Sequence, residues 1–154
     1  MAAHLFDTSG IVKRYVNEVA TGWVNHVVDP AARNAIHLVR ISAVEVVSAI
    51  ARRQRGGSLS AALATRLLAD FRFDLANQYQ VVAVTPKLIS SAMSLAEKYA
   101  LRGYDAVQLA AALQLHAGRR ARRTSALILV SADADLNAAA VAEGLQVEDP
   151  NMHP

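Results

Sequence analysis

The chain has 154 residues, a net charge of +3, 53% hydrophobic residues and only 5% aromatics. That length suits one domain with a real core. No cysteine is present, which excludes a disulfide framework and thiolate metal sites. No apolar run approaches the ~20 residues of a membrane span. No basic segment precedes a long apolar stretch, so a cytoplasmic location without a secretory signal is the expectation. Much of the apolar content is Ala, Val and Leu, which suits closely packed helices on a β-branched sheet.

The first apolar run, Leu5-Phe6, meets Asp7, Thr8 and Ser9 at once. Apolar residues then recur at helical spacing, giving a helix over 9–18. A second helix spans 21–28, and Asp29-Pro30 ends it. Residues 36–41 read as a strand into which Arg40 intrudes. Ser42, with Glu45 three residues on, forms a capping-box pattern that starts the next helix, and Gly56-Gly57 stops it. Residues 58–79 are helical, with Leu63, Leu67, Leu68, Phe71 and Leu75 as the buried face. A strand over 80–84 follows. Thr85 as cap and Pro86 at the first helical position start a helix reaching about residue 100. Residues 104–116 are strongly helical, with Gly118 as terminator. Residues 126–130, ALILV, should be a fully buried strand. A short helix over 134–143 ends at Gly144, and 145–147 is an edge strand. Residues 1–150 make one domain, and 151–154 a polar tail. Strands alternate with helices through short links, the signature of a three-layer α/β sandwich on a parallel sheet of about five strands.

Four acidic residues stand in apolar or small-residue surroundings near helix starts: Asp7, Glu45, Asp105 and Asp133. Each has a local explanation as a cap, a capping-box member or a partner of the helix dipole. In a parallel sheet, however, helices that follow strands all start at one edge. Asp7, Glu45 and Asp133 should converge there, with the Asp105 helix alongside. Clustered carboxylates raise one another's pKa unless a cation neutralises them. Mg²⁺ or Mn²⁺ accepts all-oxygen ligands and keeps several waters. Metal-dependent phosphodiester hydrolysis is the chemistry this suggests. Two arginine clusters, Arg52, Arg53, Arg55 and Arg119, Arg120, Arg122, Arg123, could hold a polyanion. The alternative for both is a solvated helix end. The five histidines show no zinc-ligand spacing, no Gly-rich phosphate loop is present, and no serine has a histidine partner nearby in sequence.

Four blocks, FDTSGIVKRY, ISAVEVVSAIAR, LRGYDAVQLAAAL and LVSADADLNAAAVAEGL, together resemble PIN domains, and more closely the VapC-type toxin ribonucleases of toxin–antitoxin pairs. The resemblance implies a Mg²⁺- or Mn²⁺-dependent endoribonuclease acting on RNA, often a homodimer, inhibited by a cognate antitoxin. It places Asp7, Glu45, Asp105 and Asp133 on the family's acidic positions. Asp7, Asp105 and Asp133 would lie at the metal, and Glu45 would assist through water. Thr8 and Ser131 match hydroxyl positions that support the carboxylates; Ser131 stands where the family usually has Thr. Asp135 matches a second acid that is often present. Arg40 and the long GRRARRTS link depart from the pattern. A rival reading is a non-catalytic nucleic-acid or protein-binding module on the same fold, with the acids as caps. Phosphotransfer through Asp7 would need a second Asp at position 9, which is Ser9.

Overall fold

The computed structural model describes residues 1–154. Strand β1 (Ala3–Phe6) is buried at every position. Strands β2 (Ala35–Val39) and β4 (Leu127–Val130) each have only one partly exposed residue. Strands without a polar face need cover on both sides, and helices above and below a parallel sheet supply it. All five strands are parallel, in the order β3-β2-β1-β4-β5. The edges are β3 (Gln80–Val82) and β5 (Gln146–Glu148).

Side chains alternate across the sheet with period two, so the strands feed two cores. Phe6, Ile36 and Leu38 pack against α1 (Thr8–Tyr15), α2 (Thr21–Val28), α3 (Arg40–Arg55) and α4 (Ala61–Asn77). Ala3, Leu5, Val39, Leu127 and Leu129 pack against α5 (Pro86–Tyr99), α6 (Gly103–Ala121) and α7 (Ala134–Ala142). The expected three-layer α/β PIN-like sandwich is therefore the fold observed. From β1 the chain builds outward to β2 and β3, then returns to β4 and β5 on the other side. The strand order reverses at β1 and β4, and a crevice opens there beyond the strand ends. No helix is long and apolar enough to cross a membrane.

Gly10 permits the close approach of α1 to that switch point. A Cβ there would stand 2.9 Å from the Val130 carbonyl oxygen and 3.1 Å from Phe6 Cδ1.

Several local expectations are corrected. Ser42 is not a cap: α3 starts two residues earlier, with Val39 at the cap position and no capping side chain. Arg40 cannot stay inside a strand covered on both faces, so β2 ends before it and the helix begins. Ser42 is instead fully buried, and its Oγ accepts a hydrogen bond from Gln108 Nε2 at 2.7 Å. In α4, Leu63 is 41% exposed. The buried stripe runs through Ala64, Leu67, Leu68, Phe71 and Leu75, and Leu63 lies one position off that spacing. Gly118 does not end α6, which continues to Ala121 and turns at Arg123, φ 55°. Arginine is a good helix former, and Arg119 closes the turn by donating to the Ser125 carbonyl and Oγ at 2.7 and 2.8 Å. The terminal residues are docked: the His153 ring stacks on Trp23 with centroids 4.3 Å apart, and its Nε2 lies 2.9 Å from Glu148 Oε2.

Candidate active site

Each strand end at the switch point delivers one acid. Asp7 follows β1 and caps α1, its Oδ1 accepting from the Gly10 amide at 2.9 Å. The same oxygen accepts from Ser9 Oγ at 2.6 Å, and Oδ2 accepts from Ser131 Oγ at 2.7 Å. Ser9 Oγ in turn accepts from the Ala132 amide, and Ser131 Oγ from the Asp133 amide, both at 3.0 Å. Two hydroxyls thus tie the β1–α1 turn to the β4–α7 turn. Asp7 is only 5% exposed. Burial pushes its carboxyl up to about 6 against the pull of these donors, and the charge of Asp105 adds to the rise.

Asp133 follows β4 and caps α7, its Oδ1 accepting from the Leu136 amide at 2.8 Å. Glu45 comes from α3, which follows β2. It completes no capping box; its Oε1 accepts from Thr8 Oγ1 at 2.9 Å. Asp105 lies in the first turn of α6, where Arg102 occupies the cap position. Burial raises its carboxyl above the ordinary range, the charge of Asp133 adds to this, and Arg102 opposes it. All four acids line one cleft of about 300 Å³.

The structure brings Asp7, Glu45, Asp105 and Asp133 together, with Thr8 beside Glu45 and Ser131 beneath Asp7. Asp135 is exposed in the first turn of α7 and does not line the cleft. The Arg119–Arg123 cluster lies far off. At 1.5 Å of rise per residue, Arg119 stands roughly 21 Å from Asp105 along α6. Sequence reasoning missed Ser9, Arg102, Tyr104 and Gln108, all of which line the cleft, and of the first expected arginine cluster Arg53 alone reaches it. Gln108 was legible in principle: it is the one polar residue in AVQLAAAL and lies one turn after Asp105 on the same face. Arg53 lies two turns after Glu45 on α3 and pairs with Glu18, which also holds Lys13 at 3.3 Å.

No three Asp, Glu or His side chains surround a common point as a metal ion requires. Arg102 holds Asp105 and Asp133 at 3.3 and 3.0 Å. The donor chemistry nevertheless fits a hard divalent cation. The available ligands are all oxygen, and burial makes the charge on Asp7 costly without a cation. Gln108, 2% exposed, lines the cleft, and its buried Oε1 has no hydrogen-bond partner. Asp7, Asp105 and Asp133 would hold the ion, with Glu45 one position further out.

No protein-family model and no curated protein sequence matches the chain. Solved structures do match in fold. A chain of a toxin–antitoxin complex from Klebsiella pneumoniae is 18% identical, with a TM-score of 0.59, over 96% of this chain and 97% of that one. FitAcB from Neisseria gonorrhoeae is 16% identical, with a TM-score of 0.61, over 96% and 97%. VapBC2 from Rickettsia felis, bound to a DNA fragment from its promoter, is 15% identical, with a TM-score of 0.61, over 95% and 97%. Over nearly its whole length, the chain shares the fold of these three structures.

Proposed function

We propose that the protein is a divalent-metal-dependent endoribonuclease that acts as the toxin of a toxin–antitoxin pair. One observation carries the catalytic part. Four carboxylates from separate elements meet in one cleft, and two of them, Glu45 and Asp105, cap no helix. Helix capping accounts for Asp7 and Asp133 and the helix dipole for Asp105 in the first turn of α6, but no local role accounts for Glu45 or for all four facing one cleft. The fold shared with toxin–antitoxin proteins supports the toxin role.

A bound Mg²⁺ or Mn²⁺ would acidify a water and steady a phosphoryl oxygen. The residues supply the rest. Ser9, Ser131 and the Gly10 amide fix both oxygens of Asp7. Thr8 orients Glu45, which would hold the attacking water and take its proton. Gln108 is anchored through Ser42 at the cleft wall, next to the acids. Arg53 and Arg102 at the cleft are the basic groups closest to the acids. The test is RNA cleavage by the purified protein. EDTA should abolish it, and Mg²⁺ or Mn²⁺ should restore it; undiminished cleavage in EDTA sinks the mechanism.

The Arg119–Arg123 cluster enters this proposal only as a remote site for the phosphates of a long RNA. Replacing Arg120, Arg122 and Arg123 with Ala should flatten the salt dependence of binding by roughly 0.7 in log–log slope for each single-strand phosphate that is no longer neutralised. A short oligonucleotide confined to the cleft should show no change. An unchanged slope with long RNA would leave these arginines as a helix end.

The cognate antitoxin and a homodimer belong to the same proposal, and both need an exposed apolar surface. Val24, Val27 and Val28 of α2 are buried in this protein's own core, so that helix offers no free apolar face. Exposed apolar residues gather elsewhere. Two adjoining grooves of about 410 and 400 Å³ share Ile89, Tyr104 and Val107 and are flanked by Val44 and Met93. Val44 and Met93 are 65% and 67% exposed. Light scattering should show a dimer that Val44→Asp with Met93→Asp converts to monomer. A wild type that is monomeric at all concentrations would remove the dimer.

A further inference from the structure

We propose that Arg102 is the cleft's own counter-ion, and that a divalent cation binds by displacing it. This rests on the metal-centre reading above and adds a residue that sets the affinity of that centre.

The oxygens involved decide the point. Asp133 has committed Oδ1 to the Leu136 amide. Its Oδ2 is the oxygen left for a ligand, and Arg102 Nη2 occupies it at 3.0 Å. Asp105 likewise gives its Oδ2 to Arg102 Nε at 3.3 Å. These two bonds are the only ones the guanidinium makes. Its side chain is 82% exposed, so nothing packs it in place. Asp105 keeps Oδ1 free, but a cation shared with Asp133 needs the Oδ2 that Arg102 now holds. The guanidinium then leaves for solvent at the cleft mouth. Arg102 precedes Gly103 at the cap position of α6, so it can swing away without disturbing the helix.

A resident competitor lowers apparent affinity by the fraction of time it occupies the site. Exposed ion pairs are individually weak, so releasing two should strengthen cation binding by about three- to tenfold. Mn²⁺ titration calorimetry on wild type, Arg102→Gln and Arg40→Gln provides the test. Arg40→Gln removes one positive charge from an adjoining groove without touching an acid. Arg102→Gln should bind Mn²⁺ three- to tenfold more tightly than wild type, and Arg40→Gln within twofold of it. In parallel, the Nε–H signal of Arg102, assigned by its loss in Arg102→Gln, should move to the position of a free arginine as Mg²⁺ saturates. Equal or weaker binding by Arg102→Gln overturns the proposal, as does an equal gain in Arg40→Gln or an Nε–H signal unmoved at saturation. If no variant binds either ion, the metal-centre reading itself fails, and this inference with it.

Discussion

Asp7→Asn is expected to abolish RNA cleavage while raising the melting temperature of the metal-free protein at pH 7. The carboxyl is 5% exposed, and burial lifts its pKa from 3.8 to about 6. A raised folded-state pKa means that stability is fullest below the unfolded value and is lost as pH rises through the folded one. From pH 4 to pH 7 the wild type therefore accumulates a penalty of up to ~3 kcal/mol at this one residue. Asparagine keeps the shape and still caps helices well. Its Nδ2 cannot accept the Ser131 hydroxyl proton, which offsets about 1 kcal/mol of the gain. The net gain at pH 7 should be about 1–2 kcal/mol, or roughly 2–8 °C. Melts of both proteins in EDTA from pH 4 to pH 8 should show the gap widening between pH 4 and pH 6 and then holding. A mutant that melts lower at every pH, with a constant gap, would make Asp7 a helix cap whose charge the fold carries without strain.

Gly10→Ala is expected to destabilise the protein by about 1–3 kcal/mol, the usual cost of overpacking. Helix propensity alone predicts a gain of up to ~1 kcal/mol for Gly→Ala. Sterics oppose it: the new Cβ would meet the Val130 carbonyl oxygen at 2.9 Å and Phe6 at 3.1 Å. Both belong to strands in the middle of the sheet, so α1 has to move instead. The Gly10 amide that holds Asp7 Oδ1 moves with it, and cleavage should fall along with stability. Gly118→Ala is the matched control. Gly118 lies inside α6 with nothing within 4 Å of its Cβ position, and this change should stabilise. Urea unfolding of the two variants compares them directly. If Gly10→Ala proved as stable as Gly118→Ala, the close approach of α1 to β4 would not limit this position.

The acidic set was legible because topology, not local pattern, determines it. Helices that follow parallel strands start at one sheet edge, so Asp7, Glu45 and Asp133 had to meet once the strands were recognised. The reason for each residue was less legible. Ser42 and Glu45 have the spacing of a capping box, yet Ser42 turns to Gln108 and Glu45 to Thr8. Both partners are distant in sequence, and local spacing cannot see them. The arginines misled in the same way. RRARR is conspicuous in the sequence, but the length of α6 carries it to the opposite end from Asp105. A lone Arg102 and a lone Arg53 line the cleft instead. Burial raises the Asp105 carboxyl. Arg102 relieves it, and Asp7, sealed beneath two hydroxyls, takes the larger shift.

Calorimetric titration of Mn²⁺ into the wild type and Asp105→Asn, at neutral pH, tests the metal centre most directly. Asp105 caps nothing and pairs only with an exposed arginine, so its replacement should leave the fold intact. The wild type should bind Mn²⁺, and Asp105→Asn should bind it at least about tenfold more weakly, equivalent to ~1.4 kcal/mol or more of ligand interaction. Equal binding by the two proteins, or no binding by the wild type, would contradict a metal centre built on these acids.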